Sequence, residues 1–163
     1  MYSLLVSHAV SEKTEGAFAI DSSRFLEYTA DSIALQLKTL SIEASQTIRS
    51  WPCILMQEGR GQEEAHVVEI THLALSGGDV KVAIKPPPTP IVLFNETLWK
   101  MRDALDIGEF EFSRNHWAIK DRDLFSALAG ADYPVDDSVV SQFEQRPLPA
   151  PRCLRHSLLV KRC

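Results

Sequence analysis

The sequence predicts an α+β domain: a small twisted antiparallel sheet or partly closed barrel, carrying about four short helices on one side. Three observations lead there. One segment has the full signature of a β-hairpin. The other apolar runs are short and interleave irregularly with capped helical stretches. No long series of strand, helix and strand repeats, as a parallel sheet would require.

Taken in order, residues 16–28 hold two apolar groups, GAFAI and RFLEY, around Asp21-Ser22-Ser23, which reads as two strands about a turn. Asp31 to Leu40 fits both alternation and helical spacing. Thr29 and Asp31 as cap candidates, with good helix formers after them, favour a helix. Ser41 caps a second helix over 42–49, and Pro52 forces Trp51 out of the α conformation. Cys53 to Met56 then forms a short buried strand, followed by a polar loop from Glu58 to Glu64.

His66 to Leu75 and Val80 to Lys85 form the hairpin around Gly77-Gly78, whose residues accept the positive φ of a two-residue turn. That loop pairs Leu75 with Val80, Leu73 with Val82 and Thr71 with Ile84, and turns Ile70 and His72 to the wetter face. Pro86-Pro87-Pro88 ends the ladder because proline donates no hydrogen bond. Ile91 to Phe94 is a brief strand, and Asn95 caps a helix with Leu98, Met101 and Leu105 on one face. Gly108 suits a left-handed C-cap. Glu109 to Phe112 alternates as a half-exposed strand, and Asp121 and Asp123 lie in the first turn of a last helix that ends before Gly130. No repeat at a period of 20 to 50 residues is visible.

The chain has 163 residues, 45% hydrophobic and 24% charged, with a net charge of -5, which is an ordinary globular composition. The charge is unevenly placed. Residues 146–163 hold five basic groups and no acid, so the preceding body carries 12 basic against 22 acidic groups, a balance of -10. We therefore divide the chain into one α+β domain, 1–145, and a Pro-rich basic tail, 146–163. Pro147, Pro149 and Pro151 favour an extended or partly disordered spacer there, although 157–160 is apolar enough to pack back. An acidic body disfavours nucleic acid as a partner, since that affinity comes from Lys and Arg on phosphates. The tail suits a protein partner, either an acidic one or the chain's own acidic body.

No apolar run is long enough to cross a membrane, and the first residues lack the pattern of a signal peptide, so a cytoplasmic protein with reduced thiols is expected. Cys53, Cys153 and Cys163 make no disulfide framework and no zinc spacing, so neither metal nor cofactor is expected. Cys53 reads as inert core, and His8 and His66 have no identifiable partner.

One dense polar cluster remains, running from Ser113 through Arg114, Asn115, His116, Trp117, Lys120 and Asp121 to Asp123. Trp117 offers a stacking surface, Arg114 and Lys120 can meet anionic groups, and His116 supplies an imidazole, so Arg114, His116, Trp117 and Lys120 are the candidate ligand- or partner-binding residues. In an enzymatic reading His116 is the general acid/base on a nucleotide-like anionic metabolite, oriented by Asp121 or Asp123. In the structural reading Trp117 and Ile119 anchor a core, His116 meets a backbone carbonyl, and Asp121 or Asp123 caps a helix.

The run from Arg114 to Asp121, with Asp123-Leu124-Phe125, resembles bacterial N-terminal modules that precede Toll/interleukin-receptor-like or nucleoside-deoxyribosyltransferase-like domains. Ser23 to Thr29, Trp51-Pro52-Cys53 with Glu58, and the Gly-Gly hairpin extend the resemblance over most of 20–130. It implies that chemistry belongs to a downstream domain and that this part is a non-enzymatic sensor or adaptor of a signalling or defence system. Only about thirty residues follow Gly130, so no such domain is expected within these residues.

Overall fold

The computed structural model describes residues 1–8, 14–133 and 135–146. It is an α+β fold with seven strands in one sheet and six helices. The strands are β1 Tyr2–Val6, β2 Gly16–Asp21, β3 Pro52–Met56, β4 Glu64–Ser76, β5 Asp79–Lys85, β6 Ile91–Phe94 and β7 His116–Lys120. The helices are α1 Asp31–Leu37, α2 Ile42–Ser50, α3 Asn95–Lys100, α4 Arg102–Leu105, α5 Leu124–Gly130 and α6 Asp137–Glu144. The strand order is β2-β5-β4-β3-β1-β7, and β6 also pairs with β4. All pairs are antiparallel except β1 with β3, so the sheet is mixed.

The sheet is open yet strongly curled. Phe25 bridges to Trp117 on β7, four residues after β2 ends at the opposite edge. Four residues reach at most about 14 Å, so the two sheet edges lie close together and residues 22–25 span the gap in place of a ladder.

The hairpin register holds from the turn as far as His72. Leu75 faces Val80 and Leu73 faces Val82, while Gly77 and Gly78 take φ of 61° and 92°. A bulge at Thr71 then shifts the pairing, so Ile84 faces Ile70 instead of Thr71. One extra residue exchanges the faces beyond it. Ile70 thereby enters the core, and Glu69 comes opposite Lys85. Glu69, almost fully buried, binds Lys85 Nζ at 3.2 Å and also accepts Arg146 Nη2 and Gln142 Nε2 of the α6 end. The triple proline lies between β5 and β6, which pair in line along the same edge of β4.

Alternation along the strands splits the core in two. Tyr2, Leu4, Val6, Ile54, Met56 and Ala118 face α3 to α6, whereas Leu5, Cys53, Leu55, Trp117 and Ile119 face α1 and α2. Helices therefore cover both faces, not one, which is why β1, β3 and β7 are buried residue by residue.

Local expectations fare unevenly. Ser41 caps α2 through Ala44 N at 3.1 Å, as expected. Asn95 does not cap: it is buried, and its amide donates to the carbonyls of Gln57 and Gly59. Asp106, not Gly108, takes the left-handed position after α4. Residues Glu109–Ser113 wind as a 3-10 turn instead of a strand. The expected tail lies outside the described residues beyond Arg146.

Glu69→Gln should lower stability by about 1 to 3 kcal/mol, as loss of a charged hydrogen-bond acceptor does. Denaturant unfolding at neutral pH measures it. A change under about 0.5 kcal/mol would place the contacts in the class of exposed ion pairs.

Candidate functional site

The polar cluster after β6 folds into two parts with different roles. One part is sealed. Strand β7 pairs with β1 so that His116, Ala118 and Lys120 stand opposite Val6, Leu4 and Tyr2. The 3-10 turn before it carries Glu111 to the same face, where Glu111, His116 and Lys120 are all buried. Lys120 Nζ donates to Glu111 Oε1 at 2.6 Å, His116 Nε2 lies 3.0 Å from Oε2, and the Gly108 N–H donates to Oε1 at 2.7 Å.

Burial works against an ionised Glu111, but the bonds from His116, Lys120 and Gly108 outweigh it and hold the carboxyl below its ordinary range. The other imidazole nitrogen, Nδ1, lies 2.6 Å from the Arg114 carbonyl oxygen. Each ring nitrogen thus faces an oxygen atom. Tyr28 stands edge-on to the imidazole at 5.0 Å, and its carbonyl oxygen takes a second bond from Lys120 Nζ.

The sequence readings of these residues therefore divide. Trp117 is fully buried, with Phe25 edge-on at 5.3 Å, so its indole is a core anchor and not a stacking surface. His116 and Lys120 are enclosed by internal partners, and neither Asp121 nor Asp123 orients His116. Asp123 caps α5 by accepting from Ser126 N at 2.7 Å, and Asp121 is exposed. Of Arg114, His116, Trp117 and Lys120, only Arg114 reaches solvent, so the four do not share one surface.

The other part is open. A cleft of about 430 Å³ lies beyond the carboxyl ends of the parallel strands β1 and β3. Its polar lining includes Ser7 after β1, Glu58 after β3, Arg114 and Asn115 before β7, Asp21 at the end of β2 and Arg24 beyond it. Because the sheet curls, both of its edges contribute. Arg114 and Arg24 are held by one carboxylate: Glu27 Oε1 lies 2.8 Å from Arg114 Nε and Nη2, and Arg24 Nη1 is 3.4 Å from the same carboxylate. Partial burial opposes the charge on Glu27, but these bonds overrule it and keep its carboxyl below the usual range. The side chains of Arg114 and Arg24 remain 44% and 40% exposed, so donors are left over for a ligand.

Local backbone fixes this arrangement. Leu26 and Tyr28 adopt left-handed φ of 66° and 58°, costly for such residues and sustained here by the flanking contacts. Those contacts are Phe25 against Trp117, and the Thr29 hydroxyl accepting from Ile119 N at 2.8 Å. His8 N donates to Asn115 Oδ1 at 3.1 Å, and His8 Nε2 lies 3.3 Å from Glu58 Oε2. Sequence reasoning did not place Glu111, Arg24, Glu27, Asp21, Ser7 or Glu58 in a site. Of these, Arg24, Glu27 and Glu58 carried a signal, as part of the family resemblance. No group of three or more His, Cys, Asp or Glu suited to a metal occurs among the described residues, and no helix there is long and apolar enough to cross a membrane.

Glu111→Gln should destabilise the protein by about 3 kcal/mol at neutral pH, as removal of one member of a buried ionic group does. Because the folded carboxyl titrates below its unfolded value, its stabilisation is complete above the ordinary carboxyl range and disappears as pH falls through the folded value. The gap between original and variant in denaturant unfolding should accordingly narrow on acidification. A gap independent of pH would contradict this. No family model, no curated protein and no solved structure matches the chain.

Proposed function

We propose that the protein is a non-enzymatic binding module, a sensor or adaptor of a bacterial cytoplasmic system, that takes a small nucleotide-like anion in the cleft at the carboxyl ends of β1 and β3. The observation that carries this reading is the convergence of Arg24 and Arg114 on one cleft through their shared partner Glu27. Guanidinium groups braced in this way meet an anionic group with little reorganisation. The volume suits a metabolite, and the ends of parallel strands are where open α/β sheets place ligands. Asp21 and Glu58 add acceptors for hydroxyl groups, which favours a singly phosphorylated ligand with a sugar over a polyphosphate.

Support for binding without turnover comes from the enclosed state of Glu111, His116 and Lys120, whose polar atoms are spent on one another and on backbone. A sensor or adaptor role also agrees with the resemblance of the Arg114 to Phe125 run and of Ser23 to Thr29.

Titration calorimetry of the full chain with adenosine monophosphate and with inorganic phosphate tests the reading. The nucleotide should bind more tightly than phosphate, and Arg114→Ala should weaken it by about tenfold, or roughly 1.4 kcal/mol, with the fold retained. Arg114→Lys should not restore affinity, because the fork geometry is lost. Absence of binding by both ligands, or affinity unchanged from the original protein in both Arg114→Ala and Arg24→Ala, would overturn the assignment.

A further inference from the structure

We infer that a second groove, formed by α5, α6 and the junction of α2 with β3, is the docking site of the chain's own Pro-rich basic segment, residues 147–163. The groove has a volume of about 380 Å³. Its walls include Trp51, Phe125 and Phe143, the last two with ring centroids 5.6 Å apart. Its rim carries the exposed carboxylates Asp123, Asp137 and Glu144. Aromatic walls with an acidic rim match one ligand chemistry well: an extended proline-containing segment flanked by basic residues.

The chain carries such a segment next to the groove. Residues 147–152 read Pro-Leu-Pro-Ala-Pro-Arg, and Arg155, Lys161 and Arg162 follow. The position of Arg146 decides where this segment starts. Its guanidinium binds the buried Glu69 and donates to the Arg49 carbonyl at 2.8 Å, directly before the groove residues Ser50, Trp51 and Pro52. The chain is thus pinned at the groove's own wall. At about 3.1 Å per residue in an extended form, seventeen residues reach about 50 Å, enough for the basic groups to meet every rim carboxylate. Charge complementarity is one-sided, since the segment has no acid to repel the rim. Tethering also gives the segment a local concentration that an untethered peptide would have to reach in the millimolar range.

This site is separate from the anion cleft. It shares none of that cleft's lining residues, and it stands or falls independently of the ligand proposed there.

The test uses the full chain and its own thiols. Cys53 is fully buried and burial pushes its thiol well up, so a thiol-reactive nitroxide attaches to Cys153 and Cys163. Nitrogen-15 spectra of the labelled protein should show paramagnetic loss of the amide signals of Ser126, Ala129, Val140 and Glu144. These signals should return in Asp137→Lys/Glu144→Lys. They should also return in Arg152→Glu/Arg155→Glu, which leaves the residues of the groove untouched and carries the test should the first variant fail to fold. Equal signal loss in the original and the charge-reversed tail would overturn the inference. Loss confined to other surfaces would also overturn it. So would loss that appears only on mixing nitroxide-free labelled protein with a nitroxide-bearing copy, because the occupant would then be a second molecule.

Discussion

The carboxylate of Glu111, buried between the His116 imidazole and the Lys120 ammonium, is the contact on which the organisation of the β7 edge depends. Placing three ionisable groups in a dry interior costs several kcal/mol for each ion unless the geometry satisfies them. Here it does. Glu111 accepts from a ring nitrogen, an ammonium and a backbone N–H, and His116 and Lys120 also reach the carbonyls of Arg114 and Tyr28. These last two bonds extend the effect beyond the core. They fix the backbone where Arg114 enters β7 and where the 22–29 segment closes the sheet edge, so the open cleft is positioned by a sealed one-carboxylate hub.

A second buried carboxylate works in the same way at the far end of the helical layer. Glu69 takes Lys85 from β5 and Arg146 from the chain beyond α6, and the bulge at Thr71 is what turns it to the face covered by α6. Without the bulge, Ile70 would keep the outward orientation that a regular hairpin assigns to it. One irregular residue therefore sets both a core side chain and the anchor of α6. The curl of the sheet has a comparable consequence: residues 22–25 cross between its two edges, and Arg24 from one edge meets Arg114 from the other around Glu27.

Much of this was legible in the residues, and the gaps have physical causes. The hairpin was readable up to the bulge because alternation and the Gly-Gly turn agree, whereas a bulge leaves no mark on composition. Strand β1 was missed because Tyr-Ser-Leu-Leu-Val is buried on both faces and so does not alternate. Strand β7 was missed because His116 and Lys120 look like surface chemistry until Glu111 is brought between them. Glu109 to Phe112 alternates in sequence, yet at three residues per turn the chain buries the adjacent pair Glu111 and Phe112 and exposes Glu109 and Phe110. For the cleft, Arg114 was the one candidate binding residue named in advance that reaches solvent. Its partners Arg24 and Glu27 lie about ninety positions away, and only the folded chain brings them together.

The central claim is that Glu111, His116 and Lys120 act as one coupled unit and not as three separately tolerated buried groups. A double-mutant cycle on stability measures this directly, using Glu111→Gln, Lys120→Met and the pair, each unfolded in denaturant at neutral pH. Removing the second partner after the first should cost much less than removing it alone, giving a coupling energy above about 1 kcal/mol, within the range seen for residues in one polar network. Additive losses, with coupling near zero, would contradict the account.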